Sequence, residues 1–461
     1  MERKGFMGIL TGVDRLKAGI LLALFLAAFA VPASAGDFRV VLDAEGTVRS
    51  DGNYDQVQQL DEPGLEDDGE ENVARTGFNL RLSYQLPRWL LALGYSPSYE
   101  WVLDESETHG TTHRLDFGLS GNLTRRLSMQ VRERLLSSPG LDLYSPYLVG
   151  EPVAVTRRGD QLTHALDIGL AQTLTRRTSL LLGAAHTLRT FEESDLSDTE
   201  TLSARIGIGT ELAQDRRLDF VATAGNYDFG ERERPGLGGN LIDQAADVQT
   251  LSVSWQQPFL RDGRFHVEAG MFAVDSTRTL LIPDPVNPAE NEPTRIDEDF
   301  ERTGWRGGLD LSRQLELFAW NVGLRHDVSA GAGLGRATEM DNVSAGLSTN
   351  IGRRLVLGLD GSFSRYDDLE NDLEADPAVV PEDRILESVT GGARLSWSFS
   401  TIARLTGGYS RIWQESRIAP FEDLSYSRYF VGLALQLYRS GEEPQNPARQ
   451  EVPEDEQPDA Q

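Results

Sequence analysis

From residue 37 onward, apolar and polar positions alternate with a period of two. In DFRVVLDAEGTVR, Phe38, Val40, Leu42, Ala44 and Val48 share one side, and Arg39, Asp43, Glu45, Thr47 and Arg49 the other, with Val41 the one apolar exception. Successive side chains of a strand point to opposite faces, so the segment predicts a strand with one apolar and one charged face. Phe78, Leu80, Leu82 and Tyr84 alternate in the same way with Asn79, Arg81, Ser83 and Gln85. So do Leu202, Ala204, Ile206 and Ile208 with Ser203, Arg205, Gly207 and Gly209, and, late in the chain, Leu355, Leu357, Leu359 and Phe363 with Gly358, Asp360 and Ser362.

Short, mostly arginine-bearing turns separate these strands in pairs. They read Leu86-Pro87-Arg88, Thr124-Arg125-Arg126, Thr175-Arg176-Arg177, Gln214-Asp215-Arg216-Arg217, Arg261-Asp262-Gly263-Arg264, Ser312-Arg313-Gln314, Gly352-Arg353-Arg354 and Ser400-Thr401-Ile402. Longer polar stretches lie between the hairpins, at 49–76, 104–112, 138–160, 190–200, 230–246, 279–300, 330–340, 366–384 and 415–425. A propeller blade needs four strands per repeat, and here each repeat has two. Loops that are all short on one side and long on the other are the pattern of an outer-membrane barrel, as are aromatics near strand ends such as Trp89, Trp101, Trp305, Trp397 and Trp413. With an opening strand near 38–48 and a closing one near 427–438, the expectation is an all-β, antiparallel up-and-down transmembrane barrel of about eighteen strands (roughly sixteen to twenty), with short periplasmic turns and long extracellular loops.

The ends read differently. Arg3, Lys4, Arg15 and Lys17 precede the apolar run 18–31, followed by Pro32 and Ala33-Ser34-Ala35. Charged start, short apolar run and small-residue cleavage site are the parts of a secretory signal, so residues 1–35 are expected to be removed and 36–438 to form the barrel. A first strand so near that site leaves no room for an N-terminal plug. Residues 439–461, rich in Pro, Glu, Gln and Asp, predict a disordered acidic periplasmic tail.

Composition sharpens the partners. The formal net charge of −28 excludes nucleic acid, which needs a basic face. The chain has no cysteine, hence no disulfide framework or thiolate metal site. Its only lysines are Lys4 and Lys17, so every later side chain with a fixed positive charge is an arginine, whose planar fork holds carboxylate or phosphate with two hydrogen bonds. Much of the negative charge falls in the loops, with Asp61, Glu62, Glu66, Asp67 and Asp68 in one and Glu290, Glu292 and Asp297 in another. None has the spacing of a calcium loop, so they read as solvated acidic surface.

If the apolar faces meet lipid, the others line the lumen. The residues expected there are Arg39, Asp43, Glu45, Arg81, Arg114, Asp116, Arg132, Arg134, Arg205, Glu211, Arg306, Asp310, Asp360 and Arg394. Their two signs roughly balance, which predicts ladders of ion pairs rather than a one-signed filter. Of the six histidines, His109 and His113, near Asp104 and Glu105, are the best candidates for rim chemistry. Nothing marks a nucleophile or a paired-carboxylate site, and there is no H-E-x-x-H, G-x-S-x-G or phosphate loop, so no catalysis, cofactor or metal is expected.

The pieces NLTRRLSMQV, TLTRRTSLLLGAAH, NIGRRLVLGLDGSFSR and GLALQLY resemble those of outer-membrane β-barrel porins of Gram-negative bacteria, in the group often found with exopolysaccharide export machinery. The resemblance covers nearly all of residues 36–438. It implies a multi-pass outer-membrane location and a pore for polar solutes or exported polysaccharide, with polysaccharide export components as partners. The segment FVGLALQLY also resembles the assembly signal in the last strand of such proteins, though Phe430 stands where a polar residue is usual and the chain runs on past Tyr438. That implies the barrel assembly machinery as a partner during insertion, and outer-membrane lipid and lipopolysaccharide as the surroundings. The alternative is a surface structural or adhesion scaffold acting through its acidic loops.

Overall fold

A computed structural model describes residues 37–52, 70–103, 109–139, 160–191, 198–213, 215–229, 232–233, 240–260, 262–282, 294–329, 337–369, 385–416 and 424–440. The expected signal segment, the body of each long loop with its acidic residues, and the tail beyond 440 lie outside these. The strands are β1 (Asp37–Gly52), β2 (Glu70–Gln85), β3 (Trp89–Val102), β4 (His109–Asn122), β5 (Leu127–Pro139), β6 (Asp160–Thr173), β7 (Thr178–Phe191), β8 (Thr199–Ala213), β9 (Arg216–Phe229), β10 (Arg232–Glu233), β11 (Asn240–Phe259), β12 (Gly263–Ile282), β13 (Thr294–Gln314), β14 (Phe318–Ser329), β15 (Thr338–Ile351), β16 (Leu355–Asp368), β17 (Ile385–Ser398), β18 (Ala403–Ser416) and β19 (Leu424–Ser440).

They form one antiparallel ring. Each wall strand pairs with its neighbours in sequence, β9 pairs directly with β11, and β19 pairs with β1 from Gly52↔Ser427 to Val40↔Ser440. Among the described residues, the two-residue β10 pairs only with β11, beside the wall, which leaves an eighteen-strand barrel. Closure leaves no unpaired edge, the condition for crossing hydrocarbon with strands. An even number of strands returns both ends of the ring to the side of the short turns, the periplasmic side.

The alternation reads directly onto the two faces. Leu202, Ile206, Phe220, Leu251, Met271, Leu347, Leu359, Val431 and Leu433 are exposed on the outward face, where lipid meets them. Arg49 and Glu100, on the opposite parity, are buried inside.

The repeated T-R-R turn has a local cause. Thr124 Oγ1 accepts from the backbone N–H groups of Arg126 (3.2 Å) and Leu127 (3.0 Å), and Thr175 Oγ1 accepts from Arg177 (3.2 Å) and Thr178 (3.0 Å). The hydroxyl thus satisfies donors that the turn withdraws from the ladder. Asp215 (φ 60°), Leu260 (φ 55°) and Gly352 (φ 71°) take the left-handed backbone in three other turns.

Two expectations need correction. The turn placed at Ser312-Arg313-Gln314 lies at Leu315–Leu317, closed by Leu315 N–H donating to Phe318 O (2.8 Å), because β13 runs on through Gln314. Leu315 and Leu317 read as strand, yet an apolar turn is tolerated at the membrane interface, where Leu317 is exposed. The loops were also drawn too long. β2 starts at Glu70, β11 at Asn240, and β12 and β13 pair out to Ile282↔Thr294. Beyond the lipid both faces meet water, so the alternation disappears while the backbone ladder continues.

Since the chain has no cysteine, Arg125→Cys and Arg176→Cys are expected to escape a membrane-impermeant thiol reagent in intact cells. Leu103→Cys, at the other end, is expected to label. Equal labelling of all three would rule out a membrane-spanning ring.

Candidate functional site

The candidate site is the inner face. Counting parity from the paired strands, all fourteen residues expected to line the lumen share the face of Arg49 and Glu100. Position along the strand then divides them. Near the loop ends, inward side chains are buried on nearly every strand: Arg49, Val73, Glu100, Thr112, Thr163, Phe229, Phe272, Met340, Tyr366, Leu386, Gln414 and Arg428. Nearer the turns they open to solvent, and Arg132, Arg134, Arg205, Asp310, Asp360 and Arg394 are exposed. The inner face is therefore a wet vestibule at the periplasmic end and a packed zone at the outer end.

Two knots of charge hold the packed zone. Glu100, with no exposed surface, lies 3.3 Å from Arg49 Nη2 and 3.2 Å from Arg75 Nη1, tying β1, β2 and β3 together. Arg306 on β13 reaches Glu268 (3.3 Å) and Asp327 (2.8 Å) and donates to Thr250 Oγ1 (3.0 Å), while Arg325 also takes Asp327 (2.9 Å). Beside this knot an apolar cluster of Phe229, Val248, Phe272, Val274, Val328 and Leu369, flanked by Tyr227 and Phe300, fills the wall. Sequence reading missed this cluster, because inward apolar residues look like breaks in the alternation.

In the vestibule the pairs are looser. Arg81 lies 2.9 Å from Asp43, and Asp116 lies 2.7 Å from Arg114 and 3.1 Å from Arg134. Arg205 reaches Asp167 across two strands (3.1 Å), and His266 Nδ1 is 3.3 Å from Asp310. Among the residues whose side chains are described, the same parity also holds Arg49, Arg75, Arg189, Arg217, Arg264, Arg302, Arg325, Arg404, Arg428 and Arg439, with Glu100, Asp167, Asp219, Glu268 and Asp327 as carboxylates. Both signs therefore line the wall, with arginine somewhat in excess.

Four histidines face outward instead. His164 Nε2 lies 3.1 Å from Glu133, His186 Nε2 lies 2.9 Å from Glu200, and the two rings are 5.9 Å apart. His326 stacks on Trp305 at 4.0 Å and lies 2.7 Å from Asp341. His113, expected to be a rim candidate, is also outward, its Nδ1 3.1 Å from the Tyr95 hydroxyl. The side chains of His109, Asp104 and Glu105 lie outside the described residues. At the β7–β8 rim, burial lifts the Asp198 carboxyl above its ordinary value, against the lowering effect of the hydrogen bond it accepts from Phe191 N–H (2.8 Å). Among the described residues, no three His, Cys, Asp or Glu side chains converge so as to hold a metal ion.

The geometry defines an outer-membrane β-barrel of the large, channel-sized class. No protein-family profile matches the chain, and no curated protein matches it in sequence. Among solved structures it is similar in architecture to Pseudomonas aeruginosa OccK2 (OpdF), at 11% identity and a TM-score of 0.40 over 87% of this chain and 98% of that one. A BenF-like porin from Pseudomonas fluorescens Pf-5 gives 10% and 0.42 over 87% and 99%. The ferric-catecholate import receptor Fiu of E. coli K12, in its closed form, gives 8% and 0.45 over 88% and 82%.

Removing one partner of a buried charge knot strands the others. Glu100→Ala is expected to destabilise the barrel by about 3 kcal/mol. Asp43→Asn, opposite an Arg81 side chain that is 62% exposed, should change stability by under ~1 kcal/mol. Urea unfolding of the refolded barrel measures both, and equal effects would contradict the division into packed zone and vestibule.

Proposed function

We propose that the protein is a pore for polar solutes whose working surface is the wet, arginine-rich vestibule. The observation that carries this reading is the division of the inner face. A closed ring of this size leaves room for a channel, and its periplasmic half presents solvated charge rather than a packed core. Polysaccharide as the exported solute rests only on the sequence resemblance. The packed outer zone implies low conductance, with small unitary steps compared with an open barrel of the same strand number.

A second reading, the surface scaffold, draws on that same packed zone, since a barrel closed at its outer end could act through its acidic loops alone. Planar-bilayer recording separates the two. The pore reading expects discrete steps from the refolded full chain. A folded, heat-modifiable barrel that is silent in every salt would overturn it. The scaffold reading expects deletion of 60–69 to abolish attachment of whole cells to a matrix polymer without altering conductance.

A further inference from the structure

One sector of the vestibule, on β5 to β8, is shaped as well as charged. Across the register, Gln130 faces Gly169, Gly169 faces Gly183, and Gly183 faces Arg205. One step toward the loops, Arg132 faces Asp167 and Asp167 faces Ala185; one step further, Arg134 faces Ala165. Arg132 and Arg134 thus stand on β5 and Arg205 on β8, and the inward surface between them is made of Gly169, Gly183, Ala165 and Ala185 around the single carboxylate of Asp167. With neighbouring strands ~4.8 Å apart, the β5 and β8 backbones stand roughly 14 Å apart, and the Arg205 side chain crosses part of that width.

Its charges are only partly matched. Arg205 lies flat across Gly183, where any Cβ would collide with the arginine side chain, and this posture carries its guanidinium to Asp167. Arg134 shares Asp116 with Arg114. Arg132 is exposed, and its partner is neutral: the Gln130 amide oxygen accepts from Arg132 Nε (2.9 Å) and Nη2 (2.7 Å) once that amide is turned to face it. So the donors left over on Arg132, Arg134 and Arg205 belong to side chains exposed on the inner face, beside the small residues of this sector. A guanidinium offers five N–H donors in a fixed fork that suits planar oxyanions.

Resting on the pore reading, we infer that this sector is an oxyanion-binding station of the pore, which favours small polar solutes bearing carboxylate, sulfate or phosphate over cations and neutral solutes. Arg132, Arg134 and Arg205 hold the anion. Gly183 is a positioning residue that keeps Arg205 low on the wall.

The test is the reversal potential of the refolded full chain in planar bilayers under a KCl gradient, followed by current block with gluconate, sulfate and phosphate as separate probes. The wild type is expected to prefer chloride several-fold over potassium and to be blocked by at least one probe, whose identity distinguishes carboxylate from tetrahedral oxyanions. The triple variant Arg132→Gln, Arg134→Gln, Arg205→Gln should lose the preference and the block. Gly183→Ala, with every arginine retained, should lose part of each. Heat-modifiable migration shows that the variants are folded. Conducting wild type without anion preference, or a triple variant that keeps it, overturns the station and leaves the pore reading standing. Absence of all conductance overturns the pore reading; the station then falls too unless detergent-solubilised wild type, and not the triple variant, binds one of the three probes saturably in calorimetry.

Discussion

The structure depends on one constraint, that no backbone N–H or C=O can remain unpaired in hydrocarbon. An unmatched group there costs several kcal/mol, so a chain that crosses with strands must bring the last strand back to the first. The β1–β19 ladder does this over nearly the full length of β1. It accommodates one irregularity, at Leu42/Asp43, close to the periplasmic end where water is near. Once the ring is closed, every side chain has only two destinations, lipid or lumen, and the period of two decides between them.

That division separates the energetics of the two faces. Outward leucines and isoleucines gain nothing from one another and are stable because the bilayer solvates them. The inner face must supply cohesion differently, and does so unevenly. At the outer end it packs like a soluble core, where Phe229, Phe272 and Tyr366 are buried and the Glu100 and Arg306 knots also lie. Toward the turns it stays open, and there its arginines are held by one or two partners rather than enclosed. A wall packed at one end thus presents solvated charge at the other.

Much of this was legible in the sequence, for physical reasons that differ by element. The strands were legible because the lipid face forbids exceptions over several residues, as in Tyr429, Val431, Leu433, Leu435 and Leu437. The two Thr-Arg-Arg turns were legible because Thr124 and Thr175 are suited to them by the hydrogen bonds their hydroxyls accept. The Leu315–Leu317 turn was not, since interface lipid accepts apolar turns and removes the usual polar punctuation. The far ends of β11, β12 and β13 were not, because pairing beyond the membrane needs no alternation. The inward parity was legible along each strand, but which charges meet was not, because Asp167 and Arg205 stand far apart in sequence and two strands apart in space. Pairing along a wall is a property of the closed ring.

The outward histidines show the same constraint at its margin. Glu133 interrupts Val131 and Leu135 on the lipid parity of β5. A lone carboxylate there would be costly near the midplane, and the cost falls to about 0–1 kcal/mol toward the interface. The register supplies both remedies. His164 lies within hydrogen-bonding distance of Glu133, and His186 repeats the arrangement with Glu200 on the next strands. His164, His186 and Glu200 all lie in the loop-side halves of their strands, so the row climbs from β5 toward the headgroups. His326 and Asp341, in the loop-side half across the barrel, pair in the same way under Trp305. Polar residues are thus admitted to the lipid face where two conditions meet: a partner on the adjacent strand and proximity to water. A histidine satisfies both, since its ring is apolar enough to lie against lipid and each nitrogen can serve a neighbour, so the belt marks the level at which the outward face passes from hydrocarbon to headgroup.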